Sequence, residues 1–187
     1  MRMKRFTSFG ALAALALMVF GCCASRMAPA PPAGMALQPG GYLTQVYRAA
    51  DFPVKDTTFV LEPFTVETAQ GVAPETFQTM LQTELTRAFE ANGLKVAPQS
   101  DTVLTGTVQL LEIRGTRVRF VTGKITACLI ISGAISRGGE TRFAFQDRIN
   151  LSSPINPGLA APKERELLLN QAARTFAVHL LDELLLR

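Results

Sequence analysis

The feature that most restricts the fold of this chain is a pair of alternating segments separated by two glycines. Residues 124–136 and 141–151 place apolar side chains at about every second position, which is typical of strands with one buried face. Gly138 and Gly139 lie between them, and glycine readily adopts the positive φ of a tight turn. The sequence therefore predicts an antiparallel hairpin over 124–151. Its buried residues are Ile125, Ala127, Leu129, Ile131, Ile135, Phe143, Phe145, Ile149 and Leu151.

Two further segments have strand composition. The run 57–66 is rich in β-branched and aromatic residues, and Pro63 marks an edge, a bulge or the end of that strand because proline cannot donate a ladder hydrogen bond. Residues 102–113 predict another strand, in which Gly106 indicates a bend or a close backbone approach. Its expected apolar face consists of Leu104, Val108 and Leu110.

Two segments have the 3.6-residue period of amphipathic helices. The first opens at Pro74 and stops at Asn92-Gly93, and the second covers 163–186. Together with the strands, they predict an α+β fold: a mostly antiparallel sheet of about four strands, in the order β-α-β-β-β-α, with both helices on one face. Their apolar positions are Phe77, Met80, Leu81, Leu85, Ala88 and Phe89, then Leu169, Ala173, Phe176, Leu180 and Leu184.

The amino terminus has the layout of a secretory signal peptide. Arg2, Lys4 and Arg5 precede an apolar stretch over 9–20, which is shorter than the ~20 residues that span a bilayer. We therefore expect residues 1–21 to be removed. An uncleaved anchor helix is the alternative. Removal lowers the formal net charge from +4 to +1, so the basic balance gives little reason to expect a nucleic-acid partner.

The junction Val19-Phe20-Gly21-Cys22 resembles the lipobox of bacterial lipoproteins. The resemblance implies that the sulfur of Cys22 receives a diacylglycerol and that the new amino terminus is acylated, for example with palmitate. Two or three acyl chains hold a protein stably on a membrane. The residue after Cys22 is not Asp, which in that family favours the outer membrane over the inner. A secreted protein with an unlipidated cysteine pair is the alternative.

Proline and glycine dominate the next segment. Residues 22–41 would carry the lipid and form a tether with no strand or helix period, and residues 42–187 would form a single periplasmic domain. As a flexible chain, the tether would extend about 20–25 Å. The domain would therefore stand clear of the lipid headgroups.

The sequence contains no catalytic or metal-binding constellation. His179 is the only histidine, and we expect it at the surface or boundary of the last helix, with no nucleophile and orienting group beside it. One histidine with scattered carboxylates gives no metal-ligand spacing. We predict no enzyme activity, no cofactor and no metal site. A cleft that gathers Glu62, Glu84 or Asp147 would revive the enzyme hypothesis.

Cys128 is the one cysteine outside the amino-terminal pair. Cysteine in a strand is most often a small buried hydrophobic residue, and we expect that role here. A disulfide between Cys23 and Cys128 is the alternative in an oxidising compartment. We expect it to be absent, because fixing a mobile tether costs entropy without a visible compensation.

One local cluster of basic residues lies between two predicted strands. Arg114, Arg117, Arg119 and Lys124 flank a phenylalanine, a pattern compatible with contact to anionic lipid or to a protein partner. A solvated strand end and loop is the simpler interpretation.

The segment Asp101-Thr102-Val103-Leu104-Thr105-Gly106-Thr107-Val108 resembles a strand of small envelope lipoproteins. These include the lipopolysaccharide-assembly lipoprotein E-like group, auxiliary lipoproteins of ABC-type lipid transporters, and amino-terminal domains of TolB and curli-secretion proteins. Gly93-Leu94-Lys95-Val96 and Val60-Leu61-Glu62-Pro63-Phe64 match their preceding helix end and first strand. Ser100 stands where many of them have alanine.

The resemblance implies accessory work in the envelope and transfers no catalytic residue. The first hypothesis is a lipid-anchored subunit that assembles or stabilises a lipid or lipopolysaccharide transport machine with an envelope protein partner. The alternatives are a stand-alone lipid- or glycan-binding module, which would need a cavity between sheet and helices, and a secretion-system assembly lipoprotein.

Overall fold

The computed structural model describes residues 35–115, 124–154 and 161–186. Within these ranges the chain forms one mixed sheet with two helices, and the elements are numbered in chain order. The strands are β1 (Gln45–Arg48), β2 (Thr58–Leu61), β3 (Thr65–Val66), β4 (Ala69–Gln70), β5 (Lys95–Val96), β6 (Thr102–Arg114), β7 (Lys124–Arg137) and β8 (Glu140–Pro154); the helices are α1 (Pro74–Ala91) and α2 (Ala161–Leu185).

The α+β class is consistent with this structure, but the prediction of about four mostly antiparallel strands is wrong. The described residues form eight strands in the order β1-β8-β7-β6-β2-β5, with β3 and β4 also paired to β6. β2, β3 and β4 run parallel to β6, and β5 runs parallel to β2. Strands of two to four residues are too short to show alternation, so the sequence pattern does not reveal them.

The predicted hairpin is confirmed as β7 and β8, which pair antiparallel along their whole length. Gly138 and Gly139 have φ of 58° and 85° at the turn. β6 pairs with the other side of β7, and a β-bulge interrupts the register between Val108 and Leu110. The extra residue reverses the side-chain parity. Leu110 therefore lies on the outer face, not with Leu104 and Val108 as predicted.

The predicted strand over 57–66 is interrupted and longer than expected. β2, β3 and β4 follow β6 one after another, from Phe59 opposite Thr102 to Gln70 opposite Glu112. α1 returns the chain to the start of β6, so the pairing is parallel. Gln78 and Gln82 of α1 donate hydrogen bonds of 2.8 and 2.9 Å to the carbonyls of Phe64 and Leu61. These amides satisfy backbone groups where the ladder is broken.

Both helices pack on one face of the sheet, and the space between is filled by phenylalanines. The ring of Phe176 on α2 lies 6.0 Å from that of Phe64 and 5.6 Å from that of Phe145. Phe59 meets Phe89 of α1 at 5.2 Å. All five side chains are buried. Neither helix in the described ranges combines the length and apolarity that crossing a membrane requires.

The residues of the Asp101–Val108 motif have structural roles in β6. Leu104 and Val108 are fully buried, and Gly106 faces Phe64 so closely that a Cβ there would lie 2.2 Å from the ring. The Asp101 carboxylate accepts hydrogen bonds from Arg137 and Thr102, which hold the pKa of Asp101 below its ordinary value. The motif thus specifies a strand that packs against Phe64 and is pinned at its start.

Candidate functional site

Several polar side chains hold the amino-terminal segment against the domain. We call this group the N-terminal clamp: Thr44 and Arg48 from the segment, Asp147 from β8, and His179 and Glu183 from α2. The segment itself is ordered by backbone pairing, since Gln38 and Val46 exchange hydrogen bonds of 2.8 and 2.7 Å.

Asp147 is the buried centre of the clamp, with 3% of its surface exposed. One carboxylate oxygen, Oδ1, accepts hydrogen bonds from the Thr44 hydroxyl at 3.0 Å, from the Thr44 amide at 3.3 Å and from the Arg148 amide at 2.8 Å. Several donors around one oxygen compensate the cost of burying a carboxylate. Asp147 therefore ties the chain before β1 to the middle of β8.

His179 occupies the other oxygen of Asp147. Its Nδ1 lies 2.8 Å from Oδ2, and its side chain is one-third exposed. The position on α2 agrees with the expected boundary residue, and Asp147 supplies an orienting group that the sequence did not reveal. A histidine oriented by a buried carboxylate is two-thirds of a nucleophilic triad. The hydrogen bonds of the described residues include none that links its Nε2 to a hydroxyl or thiol.

Glu183 lies one helical turn after His179 and holds the start of the segment. Its Oε2 accepts hydrogen bonds from the amides of Tyr42 at 2.7 Å and Leu43 at 3.1 Å. Gly40 lies directly beneath, because a Cβ there would come within 2.5 Å of the Leu43 carbonyl oxygen and 2.9 Å of Oε2. Gly40 belonged to the predicted tether, and in the structure it is packed against the domain.

Arg48 closes the clamp at the carboxyl end of α2. Its guanidinium donates to the carbonyls of Glu183 and Leu186 and lies 5.6 Å above the centre of the Phe143 ring. Burial lowers the pKa of Arg48, while the charge of Glu183 opposes that change. α2 has no basic residue in its own last turn. A cation from the amino-terminal segment thus satisfies the carbonyls and the negative dipole of this helix end.

The clamp is built for holding a chain segment. Its carboxylates are occupied by backbone amides, a hydroxyl and an imidazole, and they do not converge on a common open point. No group of three metal-ligating side chains occurs within the residues that the structure describes. Glu62 directly follows β2, and Glu84 lies on α1, where it pairs with Arg87; neither takes part in the clamp.

Sequence reasoning missed the clamp, although one residue pointed to it. Asp147 follows Phe143 and Phe145 and precedes Ile149 at the same strand parity, which places a carboxylate on the core face. A buried carboxylate requires hydrogen-bonding partners, and the single histidine lies on a helix that packs on that face. The partners Thr44 and Glu183 have no comparable pattern in the sequence.

The predicted basic cluster is only partly described. Arg114 ends β6 and Lys124 begins β7, so the two lie at the same end of neighbouring strands. The Arg114 guanidinium pairs with Glu112 at 2.7 Å, and this neutralises part of the cluster. Arg117 and Arg119 lie outside the described residues, as does the predicted lipidation site Cys22.

Cys128 lies on the outer face of β7. It is buried, as expected of a small hydrophobic residue, with 5% of its surface exposed. It is also disulfide-bonded, and its partner lies outside the described residues.

Surface grooves lie outside the filled interior. A groove of about 630 Å³ runs between α1 and Pro63, lined by threonine and glutamine side chains. Another of about 450 Å³ adjoins the clamp between Phe52 and Leu185. The lipid- or glycan-binding module required a cavity between sheet and helices; among the described residues, Phe64, Phe145 and Phe176 pack together in that space.

Comparison with known proteins gives a fold and no family. No protein-family model matches this chain, and no curated protein matches it. Solved structures do share its architecture. A Xanthomonas campestris protein of family DUF330 has a TM-score of 0.50 and 14% identity, over 71% of this chain and 86% of that one.

Two other similar structures carry the name lipoprotein. Rare lipoprotein B of Shewanella oneidensis has a TM-score of 0.45 and 15% identity, over 68% of this chain and 92% of that one. A minor lipoprotein of Acinetobacter baumannii has a TM-score of 0.43 and 12% identity, over 66% and 88%. At such identities, the comparison with the Xanthomonas protein establishes a shared fold.

Proposed function

We propose that this chain is a bacterial envelope lipoprotein that works as a non-enzymatic accessory subunit. Residues 1–21 are the export signal, Cys22 carries the lipid, residues 23–41 lead to the domain, and residues 42–187 form it. Anchoring is to the periplasmic face of the outer membrane, since Cys23 and not Asp follows the lipidated residue.

The observation that carries this proposal is the clamp. The domain uses two buried carboxylates, Asp147 and Glu183, and one arginine to hold the segment that leads from the anchor. A freely swinging domain would need none of these contacts. A domain held at its first residues stands at a defined position relative to its anchor, which suits a subunit that must meet a fixed partner.

The partner that we propose is an envelope protein of a lipid or lipopolysaccharide transport machine. Support comes from the resemblance of the Asp101–Val108 strand to such accessory lipoproteins and from the phenylalanines packed between sheet and helices, which favour surface contacts over an internal ligand. Arg114, Arg117, Arg119 and Lys124 are the proposed contact to that partner or to anionic lipid.

Lipidation is tested by Cys22→Ser, expressed in a host with an outer membrane. We expect an unprocessed precursor and loss of the lipidated amino-terminal peptide from the mass spectrum, because the acceptor sulfur is gone. Cys23→Ser is the matched control and should be processed and lipidated normally. Normal processing and lipid-dependent membrane association of the Cys22→Ser protein would reject the proposed anchoring.

The accessory role is tested by crosslinking tagged protein in intact cells before detergent extraction. The wild-type protein and Cys23→Ser should enrich the same envelope component, whereas Cys22→Ser should not, since the partner is met at the membrane. Equal enrichment of that component by all three proteins would contradict a membrane-dependent role.

A further inference from the structure

The end of the molecule at which both helices finish carries a cluster of incompletely buried apolar side chains. Tyr42 and Leu186 are 48% and 40% exposed, and Phe52 and Leu185 are only partly buried. Two surface grooves, of about 450 and 420 Å³, meet there at Lys55 and Leu185. We call these five residues the helix-end surface.

The topology explains why this surface is left open. β1 lies at one edge of the sheet and β2 lies beyond β6, so the connection 49–57 crosses the end of the molecule. The end of α2 lies against this connection, since Leu185 and Leu186 line one groove together with Phe52. The end of α1 adjoins Leu185 in the other groove. A loop and two helix ends form the surface, and no other described element packs over it.

The amino-terminal segment enters the domain at the helix-end surface. Gly41 packs directly on Leu186, because a Cβ at Gly41 would lie 2.9 Å from Cδ1 of that leucine. The next residue, Tyr42, is held through its amide by the Glu183 carboxylate at 2.7 Å. The clamp therefore fixes the segment that leads from the proposed anchor beside the exposed apolar residues.

We propose that the helix-end surface rests on the bilayer that holds the lipid anchor, with Tyr42, Phe52 and Leu186 at the boundary between headgroups and acyl chains. This inference rests on the proposed function for the anchor. Tyrosine favours that boundary because its ring is apolar and its hydroxyl is polar. Lys55 suits the same place, since a lysine can lay its stem on an apolar surface and extend its ammonium group to the headgroups.

The size of the helix-end surface favours a bilayer over a protein. A stable protein interface takes about 20–30 residues on each side, whereas this surface offers five. A membrane contact can be this small, because the acyl chains supply the affinity and keep the domain at a high local concentration.

The charges around the surface make the contact an apolar one. Asp51 pairs with Arg142 at 3.3 Å, and Asp56 lies next to Lys55 in the chain and opposes its charge. The surface therefore has no strong field of one sign to attract anionic lipid. We expect it to dock equally on vesicles of zwitterionic lipid.

This orientation turns the opposite end of the sheet away from the membrane. Phe59, close to the crossing connection, pairs with Thr102 at the start of β6. β6 then runs to Arg114, next to the start of β7 at Lys124, over roughly 40 Å at about 3.3 Å per residue. That distance far exceeds the screening length of about 8 Å at physiological salt. The described part of the basic cluster would therefore meet a protein partner and not the lipid.

The test uses the absence of tryptophan from this chain. Leu186→Trp places a single tryptophan on the helix-end surface. Leu167→Trp is the matched control, because Leu167 is 52% exposed on the same helix and lies roughly 28 Å from Leu186 at about 1.5 Å per residue. The full-length lipidated proteins are reconstituted into phosphatidylcholine vesicles whose acyl chains are brominated, since bromine quenches tryptophan on contact.

The tryptophan of Leu186→Trp should lose about half of its fluorescence or more relative to vesicles without bromine, because groups at this boundary lie about 5–10 Å deep. The tryptophan of Leu167→Trp should not change. Equal quenching of the two variants, or no quenching of Leu186→Trp, would overturn the docking.

A second pair of variants tests whether the surface docks as a unit. Tyr42→Trp should be quenched in the same vesicles, and adding Leu186→Asp should abolish the quenching, because a carboxylate resists transfer to the acyl boundary. Adding Leu167→Asp to Tyr42→Trp is the control and should leave it quenched. Quenching that persists with Leu186→Asp would overturn the proposed surface.

Flotation of the vesicles separates this inference from the proposed function. If the variants float with lipidated Cys22 while Leu186→Trp keeps its full fluorescence, the docking alone is overturned. If the wild-type protein neither floats nor carries a lipid, the anchor is overturned and the docking with it.

Discussion

A single buried carboxylate, that of Asp147, makes several of the contacts that join the amino-terminal segment to this domain. Asp147 stands at a core position of a strand whose neighbours at the same parity are phenylalanine and isoleucine. Four polar contacts from three elements meet its two oxygens. A carboxylate at a core position of a strand destabilises the fold unless hydrogen-bonding partners surround it. The clamp therefore depends on one position of β8, Asp147.

Asp147→Ala should destabilise the domain by about 1–3 kcal/mol, because the Thr44 and His179 groups would lose a buried acceptor. Urea unfolding of the mature protein measures the change. Asp51→Ala is the matched control, since Asp51 is an exposed partner of Arg142 at 3.3 Å and such surface pairs contribute about 0–1 kcal/mol. Equal losses for the two variants would show that the clamp adds no stability.

At the scale of elements, β6 is the strand around which the sheet is organised. It pairs with β7 on one side and with β2, β3 and β4 in succession on the other. Gly106 lets the Phe64 ring approach the backbone of this strand. The spacing of large and small residues in this strand thus reflects its packing against Phe64.

Gly106→Ala should cost about 1–3 kcal/mol, because the added methyl would overlap the Phe64 ring. Phe64→Leu removes the edge of that ring, so the double variant should lose less stability than the sum of the two single variants. Thermal and urea unfolding of the four proteins gives the coupling. Strictly additive losses would mean that the methyl group is accommodated elsewhere.

The sequence predicts those elements whose pattern is long enough to be periodic. The hairpin of β7 and β8, helix α1 and helix α2 all follow from runs of ten or more residues. β1, β4 and β5 are too short to alternate, and their pairing depends on contacts far along the chain. The bulge after Val108 inverts the parity of Leu110, and no residue in that run indicates it. The contacts of the clamp likewise join residues far apart in the chain. In the sequence, only the position of Asp147 on the core face of β8 indicates them.

At the scale of the whole molecule, the first and last described elements meet. Residues 38–48 lie along the edge of the sheet and against the carboxyl end of α2. The two charged residues of this contact, Arg48 and Glu183, come from opposite ends of the chain. Because the start of the domain is fixed to its last helix, the folded core resists movement of the amino-terminal segment. The segment is not joined to the domain by a flexible hinge.

Glu183→Ala should loosen this connection while the sheet stays folded. The amides of Tyr42 and Leu43 would lose their shared acceptor. Hydrogen bonds to a charged group contribute about 1.5–3 kcal/mol, so these two amides should exchange with deuterium about tenfold faster or more. Amides in the centre of β7 should exchange as in the wild-type protein.

Asp182→Ala is the matched control, because it removes the neighbouring carboxylate of the same helix, for which the described structure gives no side-chain hydrogen bond. Its Tyr42 and Leu43 amides should remain protected. If both variants release these amides equally, the helix end and not the Glu183 carboxylate holds the segment. If Glu183→Ala releases the β7 amides as well, the clamp is part of the global folding unit, and the anchor-facing segment cannot move without unfolding the domain.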